Sequence, residues 1–156
     1  MAKGAIFLKQ KDRFRAAEKY LYEYKKNLAC LDVLRDDLRV EEAGSSVHAQ
    51  NYQLTFNFSG APSDPVYARL IKIEGLKNRI KQLERWTRPI TQLIKDLSAP
   101  ENLEESENAF MLEILKLMYF GKNKPKVICD ELKLGEQTFF RRRRELVLMA
   151  ASYLGL

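Results

Sequence analysis

Two stretches of the chain repeat apolar residues at steps of three and four. In the first, Phe14, Ala17, Leu21, Tyr24, Leu28, Leu31 and Leu38 share one stripe, with Arg35 in the one slot that is not apolar. This period predicts a long helix over about 12–42 with a coiled-coil-like seam. Asp12 stands where an N-cap would, and Gly44-Ser45-Ser46 reads as its stop. In the second, Ile73, Leu76, Ile80, Leu83, Thr87, Ile90, Ile94 and Leu97 alternate steps of three and four, with Thr87 alone breaking the apolar seam. Asp64 and Pro65 fit the cap and first helical position of a helix over about 66–97. Pro89 predicts a kink or break near Arg88, because it removes one backbone donor and crowds the preceding turn. Between these helices, residues 44–65 read as a long loop. Within it Tyr52, Leu54, Phe56 and Phe58 alternate with polar residues like a strand, before the turn residues Gly60, Pro62, Ser63, Asp64 and Pro65. The segment is either a connector packed on a helix or an arm that pairs with another chain.

Pro100 stops the second helix, and Glu101, Glu104, Glu105 and Glu107 mark the beginning of the next as a solvated acidic cluster. An apolar helix over about 108–120 carries Phe110, Met111, Ile114, Leu115, Leu117, Met118 and Phe120 and ends at Gly121. A short helix starting near Pro125 carries Val127, Ile128, Cys129 and Leu132. After Leu134-Gly135, a last helix begins near Glu136 or Gln137, with Phe139, Leu146, Met149, Ala150 and Tyr153 on one stripe. A short helix, a tight turn and a longer helix are the outline of a helix-turn-helix. Cys129 takes the place of its small mid-helix residue, and Lys133 stands where glycine is frequent in the turn. The predicted fold is therefore all-α. A long helical hairpin, coiled-coil-like, fills 1–98 and serves oligomerisation or partner binding; a helix-turn-helix domain fills 99–156.

Composition narrows the chemistry. The 156 residues include two cysteines, Cys30 and Cys129, and one histidine, His48, in no metal-ligand spacing. No nucleophile–base pair, carboxylate pair or phosphate-cradling glycine loop is present, so a non-enzymatic protein without metal or cofactor is expected. Both thiols fit a reducing compartment and are expected to be buried. No apolar run approaches the ~18 residues of a membrane span, nor is there a signal-peptide core. A cytoplasmic protein is expected.

The charge is uneven. The formal net charge is +6. Residues 122–144 hold four lysines and four arginines against Asp130, Glu131 and Glu136, whereas 101–113 hold five acids and no base. The basic excess falls on the last helix, Gln137-Thr138-Phe139-Phe140-Arg141-Arg142-Arg143-Arg144. Guanidinium forks match guanine edges and phosphates, Gln137 suits adenine, and Thr138 suits a thymine methyl or a phosphate. At helical spacing Gln137, Arg141 and Arg144 share a face, with Thr138 beside it. Arg142 lies on the Phe139–Leu146 stripe, where it covers the core with its stem or reaches the backbone from the edge. Arg143 is placed as a flanking phosphate contact. Four successive arginines surround a helix on all sides, a costly arrangement without a polyanion. Lys124 and Lys126 complete the expected DNA-binding set, and double-stranded DNA is the expected partner.

The run Thr138-Phe139-Phe140-Arg141-Arg142-Arg143-Arg144-Glu145-Leu146 after Leu134-Gly135-Glu136 resembles the recognition helix of phage late transcriptional regulators of the ArpU/RinA type. The resemblance extends to the Ser59–Pro65 turn, the Leu76–Leu97 heptads, Met118-Tyr119-Phe120-Gly121 and the ending Ala150–Leu156. It implies a sigma-factor-like C-terminal helix-turn-helix and a DNA-binding activator of late genes in a bacterial host cell. DNA contact then falls to Gln137, Thr138, Arg141 and Arg144, with Phe140 flanking. The N-terminal helices would set a homo-oligomer, a dimer first, or touch host RNA polymerase. No core-polymerase-binding and promoter-melting region reads in residues 1–105, which separates the chain from a self-sufficient sigma factor. Two other readings share the pattern: a DNA-packaging recognition subunit similar to a small terminase subunit, and a polymerase-binding module whose arginines meet an acidic protein surface.

Overall fold

In the computed structural model the chain is all-α, and the described residues contain no strand. The structure describes the backbone of residues 2–51, 65–99 and 106–156, with side chains from 9–44, 65–99 and 107–156. Helix α1 spans Ala2–Asn51 and α2 spans Pro65–Ser98. Helix α3 spans Ser106–Ile114 and continues as a π-helical segment, Leu115–Phe120. Helices α4 and α5 span Pro125–Leu132 and Glu136–Leu154. The strand-like alternation over 52–58, the turn cluster 60–64 with the Asp64 cap, the stop at Pro100 and the acids Glu101, Glu104 and Glu105 lie outside the described residues.

The chain divides into two compact units, one of Met1–Lys26 with Trp86–Leu156, the other of Asn27–Arg85. This grouping differs from the expected division at residue 98. The first part of α1 and the last part of α2 belong with the C-terminal helices.

In the unit of Asn27–Arg85, Leu31 and Leu34 of α1 and Ile73 and Leu76 of α2 are buried. The two segments run antiparallel, as their ion pairs show: Arg35 with Glu84 at 2.9 Å, Glu42 with Lys77 at 2.8 Å, and Glu41 with both Lys72 and Arg69. Leu34 takes the core position, which frees Arg35 to pair from the flank. Gly44 does not stop α1. A Cβ there would lie 1.8 Å from Arg69 Nη2, so glycine admits the guanidinium that reaches Glu41. A glycine inside a helix costs about 1 kcal/mol, and here it makes room for an inter-helix ion pair. Asp12 likewise lies inside α1 rather than capping it, because the preceding residues are mostly good helix formers.

In the other unit, Ala17, Leu21 and Tyr24 of α1 and Ile90, Leu93 and Leu97 of α2 are buried, with Thr87 among them. Tyr20 stacks on Trp86 with ring centroids 4.4 Å apart, and the Tyr24 hydroxyl lies 2.9 Å from Thr91 Oγ1. Helix α2 is continuous through Pro89, so of the expected kink or break, no break occurs. An interior proline costs about 3 kcal/mol, whereas each fully buried leucine or isoleucine contributes about 1.5–3 kcal/mol. Ile90, Leu93 and Leu97 together outweigh the proline.

In α3 and its continuation Met111, Leu112, Ile114, Leu115, Met118 and Tyr119 are buried, whereas the expected Phe110, Leu117 and Phe120 are half-buried. Its last turn is wider than α-helical. Gly121 N–H donates to the Lys116 carbonyl at 2.8 Å, five residues back. The helix ends at Gly121, where a Cβ would lie 2.8 Å from the Leu117 carbonyl oxygen. The chain reverses at Lys122, with φ 56°.

Candidate nucleic-acid interface

Helix α4 starts with Pro125 in its first turn, after Lys124 in extended conformation, and buries Ile128 and Cys129, whereas Cys30 of α1 is exposed, not buried as expected. The turn that follows is Lys133-Leu134-Gly135. Lys133 is left-handed, with φ 53° and ψ 40°, so a lysine holds the conformation that glycine adopts at no steric cost. Lys133 and Leu134 N–H both donate to the Cys129 carbonyl, and Gly135 precedes α5 in extended conformation. Helix α5 therefore begins at Glu136, as the sequence predicts.

Phe139, Leu146, Val147, Ala150 and Ala151 fix which side of α5 faces the core. Successive residues are 100° apart, so the four arginines separate into two pairs. Arg142 and Arg143 point toward packed helices, and Arg141 and Arg144 point outward.

Arg142 donates to Glu107 at the start of α3 and to Glu145 on its own helix, the latter at 2.8 Å. Its side chain is only 12% exposed. These hydrogen bonds hold the Glu107 carboxyl below its usual range and raise the arginine further. Arg143 Nε lies 3.1 Å from Glu18 Oε1 of α1, and Nη2 reaches the same oxygen. The Tyr119 hydroxyl donates to that oxygen too, at 2.9 Å. The Arg143 guanidinium also sits over the Phe14 ring. Burial works against the Arg143 charge, but Glu18 and Tyr119 outweigh it, and the group titrates above its ordinary value. Burial pushes the Tyr119 phenol up. Neither arginine stands free for phosphate. The expected role of Arg143 as a flanking phosphate contact gives way to a half-buried ion pair, and Arg142 covers the core edge while bound to two carboxylates. The cost that seemed to demand a polyanion is thus met, for these two, inside the chain. Glu107 is correspondingly an ion-pair partner rather than a merely solvated acid.

The remaining predicted residues form an outward stripe. Gln137, Arg141 and Arg144 are exposed, Thr138 is half-buried beside them, and Phe140 is 47% exposed. Among the described residues, Arg141 and Arg144 make no hydrogen bond or ion pair, although Arg141 is near enough to Glu107 to favour its ionised form. Lys124 and Lys126 are exposed, and so are Lys122 and Lys133, which bracket α4 and lie outside the expected DNA-binding set. Arg144 also borders an open cleft of about 250 Å³ with Gln10, Lys11, Phe14 and Leu148.

The carboxylates that sort the arginines were missed in the sequence. Glu145 was legible as an i, i+3 partner of Arg142. Glu18 and Glu107 are 125 and 35 residues from their arginines, and no local spacing announces them. Among the described residues no group of three metal-ligating side chains occurs, and no helix is long and apolar enough to cross a membrane. No protein-family model, curated protein or solved structure matches the chain.

Proposed function

We propose that this protein is a sequence-specific DNA-binding transcriptional regulator that reads the major groove with the first half of α5. One observation carries the reading. Of four consecutive arginines, two are held by Glu18, Glu107 and Glu145, while Arg141 and Arg144 stand unpaired among the described residues on the exposed face that holds Gln137. A long, exposed guanidinium fork beside an amide is suited to guanine and adenine edges, and the flanking lysines to phosphates. The short helix, turn and longer helix over 125–154 are consistent with a helix-turn-helix whose second helix enters the groove.

The resemblance to phage late regulators of the ArpU/RinA type makes the role an activator of late genes in the cytoplasm of a bacterial host. The two long helices would supply dimerisation or contact with host RNA polymerase.

Selection of bound fragments from the source genome by the purified chain tests this, repeated with Arg141 and Arg144 changed to alanine. One site ahead of a gene cluster, lost with the double substitution, is expected. Enrichment at a packaging start would instead identify a terminase-like recognition subunit. No enrichment at moderate salt would leave the polymerase-binding module.

A further inference from the structure

The exposed stripe of α5 contains one residue that neither phosphate nor guanine can use. Gln137, Phe140, Arg141 and Arg144 are spaced i, i+3, i+4 and i+7, so they form one contiguous surface. Three are polar or cationic, and the fourth is a phenyl ring 47% exposed. Single exposed apolar residues are common and mean little alone. Here the ring is also braced from behind. Phe139, fully buried, meets it edge to face, with centroids 5.2 Å apart and planes at 73°. Phe140 is therefore held at the surface by the core, in the middle of the proposed reading face.

The major groove offers such a ring one apolar feature on the base edges, the 5-methyl group of thymine. We propose that Phe140 reads a thymine methyl next to the base pair contacted by Arg144, its i+4 neighbour. The inference rests on the DNA-reading function proposed above and specifies part of the sequence it recognises. The preferred site then joins a thymine to a base with a polar edge for the arginine, guanine by geometry.

The test uses the full chain and a random duplex library. The enriched duplex is remade with each thymine in turn replaced by deoxyuridine, which removes only the methyl. One position is expected to weaken wild-type binding about threefold to fivefold, the value of one buried methyl. Phe140→Ala should bind the thymine duplex about equally less well and lose the difference between thymine and uracil at that position, with an unchanged thermal melt. Indifference of the wild type to every deoxyuridine overturns the proposal. So does a methyl effect that survives in Phe140→Ala, which would assign the methyl to Thr138. If no duplex is enriched, or enrichment ignores Arg141→Ala and Arg144→Ala, the DNA-reading function itself fails. The proposal then falls with it, an outcome distinct from the first two.

Discussion

Arg143 and Glu18 stand 125 residues apart in the chain and share one carboxylate oxygen, which accepts from Nε, from Nη2 and from the Tyr119 hydroxyl. The side chains are 23% and 18% exposed, so water screens the pair incompletely. The geometry ties α5 to α1 and α3 from its inner side, leaving the outer side to Gln137, Arg141 and Arg144.

Removing either partner leaves the other half-buried and uncompensated. Glu18→Gln and Arg143→Ala are each expected to lower the free energy of unfolding by about 1.5–3 kcal/mol, the range for hydrogen bonds to charged groups. Combined, they should cost clearly less than their sum. Urea denaturation of the four proteins measures this. Additive losses would show that the two side chains do not interact in solution.

The outward arginines should behave oppositely. Arg141→Ala and Arg144→Ala should leave stability within about 0.5 kcal/mol of wild type, as exposed substitutions do. In DNA binding, each is expected to cost about 1–3 kcal/mol at the selected site if it contacts a base, or to reduce the salt slope by about one if it contacts a phosphate. Arg142→Ala and Arg143→Ala should lower the melting temperature first. Affinity titrations at several salt concentrations, paired with thermal melts, separate the two classes. A melting loss for Arg141→Ala or Arg144→Ala would mean that these side chains also serve the fold.

This partition shows what a sequence can carry. The steps of three and four through Ile73, Leu76, Thr87 and Ile90 are local, and they foretold buried positions because helical geometry alone decides which residues share a side. The outward direction of Gln137, Arg141 and Arg144 followed from the same arithmetic. The fate of Arg142 and Arg143 did not, because it depends on which distant carboxylate the packing brings close. Gly44 misled for a similar reason. Its lack of a side chain marks a helix stop by local rules, but Arg69 of another helix uses the space. The widened last turn of α3 left no signature beyond Gly121 itself.

Protonation gives a third prediction. The hydrogen bond donated by Arg142 lowers the titration of Glu107, so the native state binds fewer protons than the unfolded chain across that range. The contribution is present above the ordinary carboxylate range, near pH 4.5, and is lost as pH falls through the lowered native value. Tyr119 works at the other end. Burial raises its titration, so the native state keeps a proton that the unfolded chain releases above about pH 10. Stability should therefore decline above that pH. Urea midpoints across the pH range should fall on both flanks, and Glu107→Gln should flatten the acid flank. An unchanged acid flank would remove Glu107 as a contributor.

The two turns around α4 make opposite demands on side chains, and substitution should show it. At Gly121 a Cβ would meet the Leu117 carbonyl oxygen at 2.8 Å, a backbone atom that cannot swing aside. Gly121→Ala is therefore expected to cost about 1 kcal/mol or more, despite the lower chain entropy of alanine in the unfolded state. Gly135 has nothing within 4 Å of its Cβ position and a φ of −66°, but it is the N-cap of α5, where alanine is poorer than glycine, so the entropy gain of Gly135→Ala is offset and stability should stay within about 1 kcal/mol of wild type. Lys133 is the converse case. Its φ of 53° costs a side chain roughly 1–2 kcal/mol, which glycine would not incur. Part of that gain is offset by the greater freedom of glycine in the unfolded chain, about 0.5–1 kcal/mol. Lys133→Gly should thus raise stability by about 0.5–1 kcal/mol, and it removes one exposed charge beside the proposed DNA face. A rise in the urea midpoint accompanied by a smaller salt slope in DNA binding would place Lys133 at a phosphate. A rise with no change in the slope would confine its role to the turn, and a fall in the midpoint would contradict the left-handed conformation itself.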